Sequence, residues 1–379
     1  MSDIKKFNVE IKTISPIHIG SGESYGASEF VPGKAKGQNG PVDTIKRINL
    51  SKYYLSLNDD KKDDLINSLT TQNFDLNSFD GKISNDFKVY TSYDRCKEHI
   101  KPNQEIEENI KTLNQLYIPG SSLKGAIKTA ILYNSITGRD IRKIDDIMFT
   151  NRRTGKKKIG RDNKILDNIF SSDSFKNKAQ GSIMKFMQVA DSSTTKVPAV
   201  YDVISVMATD NYSKQFYKRH GTTVRSYLEC IRPNLKLKTT IATNYNENTY
   251  KRLGLGDKDK LIDIDFIKKA IYDLSNAFID YEIEFSEKYG ITYLEKFYNN
   301  LKSENTIDSP LLKVGAGSGF LATTIGLKIK EYDENEFENY FEKVRQAANG
   351  HNYPFEYPKS RKIVAKGAKP LGWVKLTFN

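Results

Sequence analysis

Both ends of the chain alternate apolar and polar residues, and this pattern constrains the fold more than any other feature. Phe7, Val9 and Ile11 alternate with Asn8, Glu10 and Lys12, and Val374, Leu376 and Phe378 alternate with Lys375 and Thr377. A period of two marks a strand with one buried face, and such a strand finds its backbone partners by pairing in a sheet. Between the ends lie stretches of helical period. Leu123, Ile127, Ala130 and Ile131 form one stripe, behind a Ser121-Ser122 cap. Phe266, Ile267, Ala270, Ile271, Leu274 and Phe278 form another, capped by Asp263 or Asp265 and stopped by Gly290. Phe337, Tyr340, Phe341 and Val344 line an acidic helix from Glu331 to Ala348. Terminal strands with helices between them predict an α+β fold.

Texture divides the chain. Pro16, Gly20, Gly22, Gly26 and Gly33 make the stretch up to about Pro41 read as a loop. From Asn49 to about Gln115 the sequence is charged and irregular, with a helical piece from Asp60 to Leu69. Strand patterns return at 183–189, 201–208 and 224–231, and the stretch from Val314 to Ile329 is Gly-rich and then β-like. The change near residue 180 predicts two halves, 1–180 and 181–379, each a small sheet covered by helices; 379 residues suffice for two cores.

Lys and Arg number 59 against 47 Asp and Glu, a net charge of +12. That excess predicts a polyanionic partner, nucleic acid or an anionic membrane surface. The 22 Tyr and 19 Phe favour nucleic acid, because bases stack on rings; a basic, low-GC proteome would raise Lys, Asn, Ile and Tyr in the same way. The sequence has neither an apolar run of membrane-spanning length nor a signal-peptide core in residues 1–20. Its two cysteines, Cys96 and Cys230, make no disulfide framework. Together these predict a cytoplasmic protein with no membrane partner.

Several motifs bear on chemistry. Gly120-Ser121-Ser122-Leu123-Lys124-Gly125-Ala126 nearly matches a nucleotide P-loop but has Ala126 where the phosphate lysine belongs. The helix start still offers free N–H groups to a phosphate, with Ser121, Ser122, Lys124 and Lys128 as donors; the other reading is a capped core helix with two solvated lysines. Gly125, inside a helical pattern, predicts close approach by a neighbour. His18 sits beside Gly20, Ser21 and Gly22 in a loop suited to packing or to touching RNA. Gly315-Ala316-Gly317-Ser318-Gly319 lets a backbone approach a ligand closely but lacks the dinucleotide fingerprint. Arg152, Arg153, Lys156, Lys157 and Lys158 form an acid-free loop or hairpin tip, and Lys359, Arg361 and Lys362 open an acid-free final segment. Cys96 and His99 are one pair, too few for zinc. No metal or cofactor is expected.

The order of these motifs carries a resemblance. Ser15-Pro16-Ile17-His18-Ile19-Gly20-Ser21-Gly22, then Ile118-Pro119-Gly120-Ser121-Ser122-Leu123-Lys124-Gly125, then the late Gly-rich loop, resemble the RAMP superfamily of CRISPR proteins. Pro358-Lys359-Ser360-Arg361-Lys362 and Pro370-Leu371-Gly372-Trp373-Val374-Lys375-Leu376 resemble the family of fifth Csm subunits of type III-A effector complexes. The resemblance implies two ferredoxin-like (RRM-related) domains with helical and loop insertions. It implies a subunit that caps the tail (3′) end of the guide RNA and is needed for guide-RNA maturation in antiviral defence. Implied partners are guide RNA and other Csm subunits, above all the repeated backbone subunit and the small helical subunit, with a trimming nuclease as a further candidate. Where relatives often carry a basic residue after the Gly-rich loop, this chain has Ala322-Thr323-Thr324.

The expectation is therefore a non-catalytic RNA-binding subunit. His18, Gly20, Ser21, Gly22, Ser121, Ser122, Lys124, Lys128, Gly317, Gly319 and the two basic clusters would face RNA. One rival is a metal-independent endoribonuclease with His18 as base and Lys124 as charge stabiliser. Another is a scaffold whose basic surface meets acidic proteins.

Overall fold

The computed structural model describes all residues except 1–2, 72, 99, 102, 142–147, 151–156, 160–168, 173–179, 212–213, 220 and 348–357; for 148–150, 157–159 and 343–347 it describes the backbone alone. The alternation at the N-terminus becomes β1 (Asp3–Thr13), with Val9 and Ile11 buried and Asn8 and Lys12 exposed. β1 is the middle of a sheet. One edge pairs with Lys236–Tyr245, from Asp3↔Tyr245 to Lys12↔Lys236, and the other with Trp373–Phe378, from Val9↔Phe378 to Thr13↔Val374. Met187–Val189 and Leu311–Lys313 form the rims. All neighbours in this first sheet are antiparallel.

The second sheet uses β2 (Gly20–Tyr25), β3 (Phe30–Gly37), β4 (Gly40–Ile48), β5 (Lys88–Asp94) and β6 (Ile106–Asn109). Three short hairpins follow in the chain: β7 (Lys111–Thr112) with β8 (Gln115–Leu116), β9 (Met148–Thr150) with β10 (Lys157–Ile159), and, further on, β13 (Lys218–Arg219) with β14 (Thr222–Thr223). The remaining strands are β11 (Met187–Val189), β12 (Ala199–Met207), β15 (Ser226–Cys230), β16 (Lys236–Tyr245), β17 (Leu311–Lys313), β18 (Ser360–Val364) and β19 (Trp373–Phe378). The first sheet thus runs β11-β16-β1-β19-β17, and the second runs β2-β6-β15-β12-β5-β4-β3 with β18 on β12.

The predicted helices form where their apolar periods lie. α1 (Leu50–Ser56), α2 (Asp59–Leu69) and α3 (Leu76–Phe79) bury Tyr53, Leu65 and Leu76 against Val31 and Ile48 of the β3–β4 hairpin. α4 (Gly120–Ser135) and α5 (Ile264–Lys288) pack together and share one core with Val9, Ile11, Ile241 and Leu376. Asp263 caps α5 by accepting from the Asp265 and Phe266 N–H groups. α6 (Thr292–Glu304) returns along α5, and α7 (Gly326–Tyr332) and α8 (Glu334–Ala347) close the outer side, with Phe337, Tyr340 and Phe341 buried. The architecture is mixed α and β, as the terminal strands and helical stripes predicted. Among the described residues no helix is long and apolar enough to cross a membrane.

Three expectations are corrected. Residue 180 does not separate the sheets: the first joins β1 to strands beyond residue 186, and the second joins β2–β6 to β12, β15 and β18. The stretch 20–41 is largely strand rather than loop. β2 is exposed along nearly its whole length, so its ladder holds it without a buried face to leave a period in the sequence. The segment after the Gly-rich loop is helical in α7, not β-like.

Leu376 is 1% exposed on β19, opposite Ile11 of the middle strand. Leu376→Ala is expected to cost about 2–5 kcal/mol, the range for emptying a buried leucine site. Urea unfolding followed by emission of the chain's one tryptophan, Trp373, reads this directly; a loss below about 1 kcal/mol would place the core elsewhere.

Candidate nucleic-acid interface

Where β1 ends, three glycine-bearing segments from opposite ends of the chain stack on one another. Trp373 N–H donates to Ser15 Oγ at 3.0 Å, and Gly372 N–H to Pro16 O at 3.0 Å. Ala316 N–H donates to His18 O at 2.8 Å, and Val314 N–H to Gly372 O at 2.7 Å. The contact requires glycine. Gly315 has φ +73°, and a Cβ there would lie 2.3 Å from His18 O; Gly372 has φ +90°, and its Cβ would lie 2.6 Å from Val314 O. The His18 loop, the Gly-rich loop and the Pro370–Trp373 turn are therefore one construction.

Within it, Gly20, Ser21 and Gly22 are exposed, but His18 is only 3% exposed. Its Nδ1–H donates to Glu229 O at 2.7 Å, the tautomer that a carbonyl partner requires. Burial holds the imidazole below its ordinary pKa of 6.5, and the Glu229 carbonyl and the Glu107 carboxylate only partly oppose that. The Glu229 side chain is fully buried; it accepts from Lys111 Nζ at 2.5 Å and from Asn109 N–H at 3.3 Å. Asn109 in turn accepts from Ile19 N–H at 2.7 Å. His18 and this network fix the loop from beneath and leave its glycines facing out.

The helix start of α4 is differently committed. Gly120 N–H donates to Asp191 Oδ1 at 2.7 Å, so a carboxylate already occupies the positive end of the helix. Lys124 Nζ donates to Met187 O at 2.7 Å, and burial, with Lys128 second, holds it below the usual lysine range. Lys128 Nζ lies 5.1 Å from the Phe170 ring centre. Ser121 is exposed and Ser122 half-buried. The close approach expected at Gly125 belongs to Gly120: a Cβ on Gly120 would sit 2.1 Å from Val189 O, whereas Gly125 has no atom within 4 Å of that position. This cluster stands at the β11 rim, across the first sheet from β17.

The final basic segment splits. Lys359 and Lys362 are exposed, and Lys362 is near enough for its charge to depress the His18 pKa further. Arg361 points inward. It is 8% exposed, its Nε donates to both oxygens of buried Glu282 at 3.1 Å, and its guanidinium lies 3.4 Å from the Phe285 ring centre. The charge expected there is neutralised by α5. Between α5, the Gly-rich loop and β18 lies a cavity of about 380 Å³ lined by Gly317, Ser318, Gly319, Ser360, Lys362 and Lys313. Lys313, which sequence reading missed, is nine-tenths buried there. Arg152, Arg153 and Lys156 lie outside the described residues, and Lys157 and Lys158 sit on β10 of the β9–β10 hairpin. Cys96 is half-buried, Cys230 is buried, both are free thiols, and His99 lies outside the described residues.

Comparison with known proteins matches residues 10–349 to the family model of the RAMP superfamily. A relative in Methanocaldococcus jannaschii, "CRISPR system Cms protein Csm5", is 26% identical across 98% of this chain and 88% of its own length. The protein of the same name in Streptococcus thermophilus is 23% identical across 65% of this chain and 66% of its own. Among solved structures, one chain of a Csm–crRNA–target RNA ternary complex of a type III-A CRISPR-Cas system superposes with a TM-score of 0.67 at 22% identity, covering 98% of this chain and all of that one. The crystal structure of T. onnurineus Csm5 superposes at 0.63 and 20% identity, covering 96% and 99%. At these identities the two structures establish the shared fold.

Two outcomes follow from the local geometry. Gly125→Ala, in open space on a helix, is expected to stabilise by about 0.5–1 kcal/mol, whereas Gly120→Ala must push back the Val189 carbonyl and should lower the melting temperature; equal melting of both variants would contradict the packing of α4 on β11. Because the folded His18 pKa lies below 6.5, its contribution is complete above pH 6.5 and is lost as pH falls below that value, where the unfolded chain takes up the proton more readily. Melting should therefore fall faster with acidification in the wild type than in His18→Gln, and identical slopes would show that the ring is not buried neutral.

Proposed function

The chain belongs to the RAMP superfamily, and from that premise we propose that it is a non-catalytic RNA-binding subunit of a type III-A CRISPR (Csm) effector complex, capping the tail (3′) end of the guide RNA and serving guide-RNA maturation in antiviral defence. The observation that carries this is the joined pair of glycine loops. Gly20–Gly22 stand exposed on the loop whose His18 carbonyl is held by Ala316 N–H and packed by Gly315, while Gly317 and Gly319 line a cavity with Lys362, on the same segment as exposed Lys359. Small residues let a ribose–phosphate backbone come close, and lysines hold it by charge, which is recognition by shape and backbone rather than by base edges. The likeness to Csm5 proteins across nearly the whole chain, and to a chain of a Csm–crRNA–target RNA complex, supports the assembly. Its partners would be guide RNA, the repeated backbone subunit, the small helical subunit and a trimming nuclease. The Ser121, Ser122, Lys124 and Lys128 cluster would serve a separate contact, because its lysines are turned toward β11 and Phe170.

We also read β1-α4-β11-β16-α5-β19 as one ferredoxin-like unit, since its antiparallel order places the last strand beside the first and the third between the first and second. The second sheet would then be the other RAMP unit, with the division falling by sheet rather than at residue 180. The nuclease reading is disfavoured by position. The His18 ring is buried with Nδ1 bonded to the Glu229 carbonyl, and Lys124 Nζ is bonded to the Met187 carbonyl of β11, so neither stands free as the base and the charge stabiliser that this reading needs.

Labelled guide precursor tests the proposal. Log affinity should fall linearly with log salt, and Lys359→Ala with Lys362→Ala should flatten the slope by about 1.4, at roughly 0.7 per phosphate of a single strand. RNA should remain intact with and without divalent metal. A flat salt response would sink the binding reading, and cleavage in either lane would establish an enzyme.

A further inference from the structure

Lys313 is a buried cation beneath this surface. It lies on rim strand β17, is nine-tenths buried, and its Nζ faces two rings, 4.7 Å from the Phe278 centre and 5.4 Å from that of Trp373. None of the ion pairs within 4.0 Å found among the described residues includes it. Ring faces attract a cation, but a buried ammonium without a carboxylate partner remains unfavourable. Burial accordingly pushes its pKa down to about 8; Glu282 raises it and Arg361 lowers it.

Lys313 lines the 380 Å³ cavity beneath the Gly-rich loop. That volume lies within the range of small-molecule sites, roughly 300–1,000 Å³. Charged groups reach the cavity from each packed element: Glu282 from α5, Arg361 and Lys362 from β18, and Lys313 from β17, with the Tyr298 phenol from α6. Three cations against one carboxylate leave +2. Ser318 and Ser360 bring hydroxyls to the wall, and Gly315, Gly317 and Gly319 hold left-handed backbone, which turns consecutive peptide groups into a concave surface suited to anions.

We propose that this cavity binds a terminal phosphate monoester, with Lys313 as the buried contact and Lys362 as the outer one. Charge selects the monoester. A phosphate bridging two nucleotides carries one negative charge, whereas a terminal phosphate carries about 1.5 to 2 at neutral pH, which matches the +2 of the wall. A half-open cavity also admits the end of a chain more readily than a segment with nucleotides on both sides. The proposal rests on the RNA-binding reading for the source of the phosphate, but not for its chemistry, since the end of an RNA and a free nucleotide present the same group.

The test uses the full-length protein at pH 7 with one short oligoribonucleotide in three forms: unphosphorylated, 3′-phosphorylated and 5′-phosphorylated. Adenosine monophosphate and adenosine form a fourth arm. At least one phosphorylated form should bind about tenfold tighter than its unphosphorylated parent. That ratio should fall toward one in Lys313→Met, shrink in the exposed-site variant Lys362→Ala, and decline in the wild type between pH 7 and 9 as Lys313 loses its proton. The arm that gains identifies the source. If Lys313→Met fails to fold, Lys362→Ala and the pH series carry the decision. Binding of every RNA form with no gain from phosphate overturns the pocket and leaves the RNA reading standing; a gain confined to adenosine monophosphate, with no RNA bound, does the reverse. A phosphate gain that survives both the loss of Lys313 and pH 9 assigns the monoester to another place and overturns the proposal.

Discussion

Everything in this fold hangs on β1 being an inner strand. Its two edges are satisfied by β16 and β19, both contributed by the second half of the chain. A strand so placed needs both partners, because each unpaired buried N–H or carbonyl costs as much as a lost hydrogen bond. The core of α4 and α5 then has a surface to cover, and the turn after β1 is fixed where β19 begins. The same pairing that closes the first sheet delivers Pro16–Gly22 to the Gly-rich loop and to Pro370–Trp373.

The surface owes its character to a division between what is buried and what is left out. His18, Glu229, Lys111, Arg361 and Glu282 are charged or titratable, and all of them bond inside the protein. Buried groups of this kind are expensive unless paired, and once paired they rigidify their surroundings. Their work is to hold glycine loops in positive-φ conformations with a clear outer face. Lys359 and Lys362 are exposed beside them, and the one buried cation without a carboxylate partner within ion-pair range among the described residues is Lys313.

Elements with a buried face were legible in the sequence. β1, β19, α4 and α5 each write their period in apolar residues, and the expected mixed fold follows from them. β2 and the outer part of β3 leave little trace, because hydrogen-bonded ladders hold exposed strands and place no demand on side chains. At the site, glycine was the reliable signal and charge the unreliable one. Gly315 and Gly372 are required by approaching carbonyls wherever the fold is made. Arg361 and Lys124 read as surface charge, and only tertiary neighbours, Glu282 on α5 and the Met187 carbonyl on β11, reveal that they face inward. Gly125 was overvalued for the same reason, since a helical glycine records a possible neighbour without saying whether one is there.

Ser15 and Trp373 are bonded across 358 positions. During synthesis at about 5–20 residues per second, β1 therefore leaves the ribosome roughly 20–70 s before its β19 partner exists. For that interval the strand carries an open hydrogen-bonding edge beside Val9 and Ile11, the kind of surface that recruits other strands. A chain built in this order closes its first sheet only when its last strand arrives.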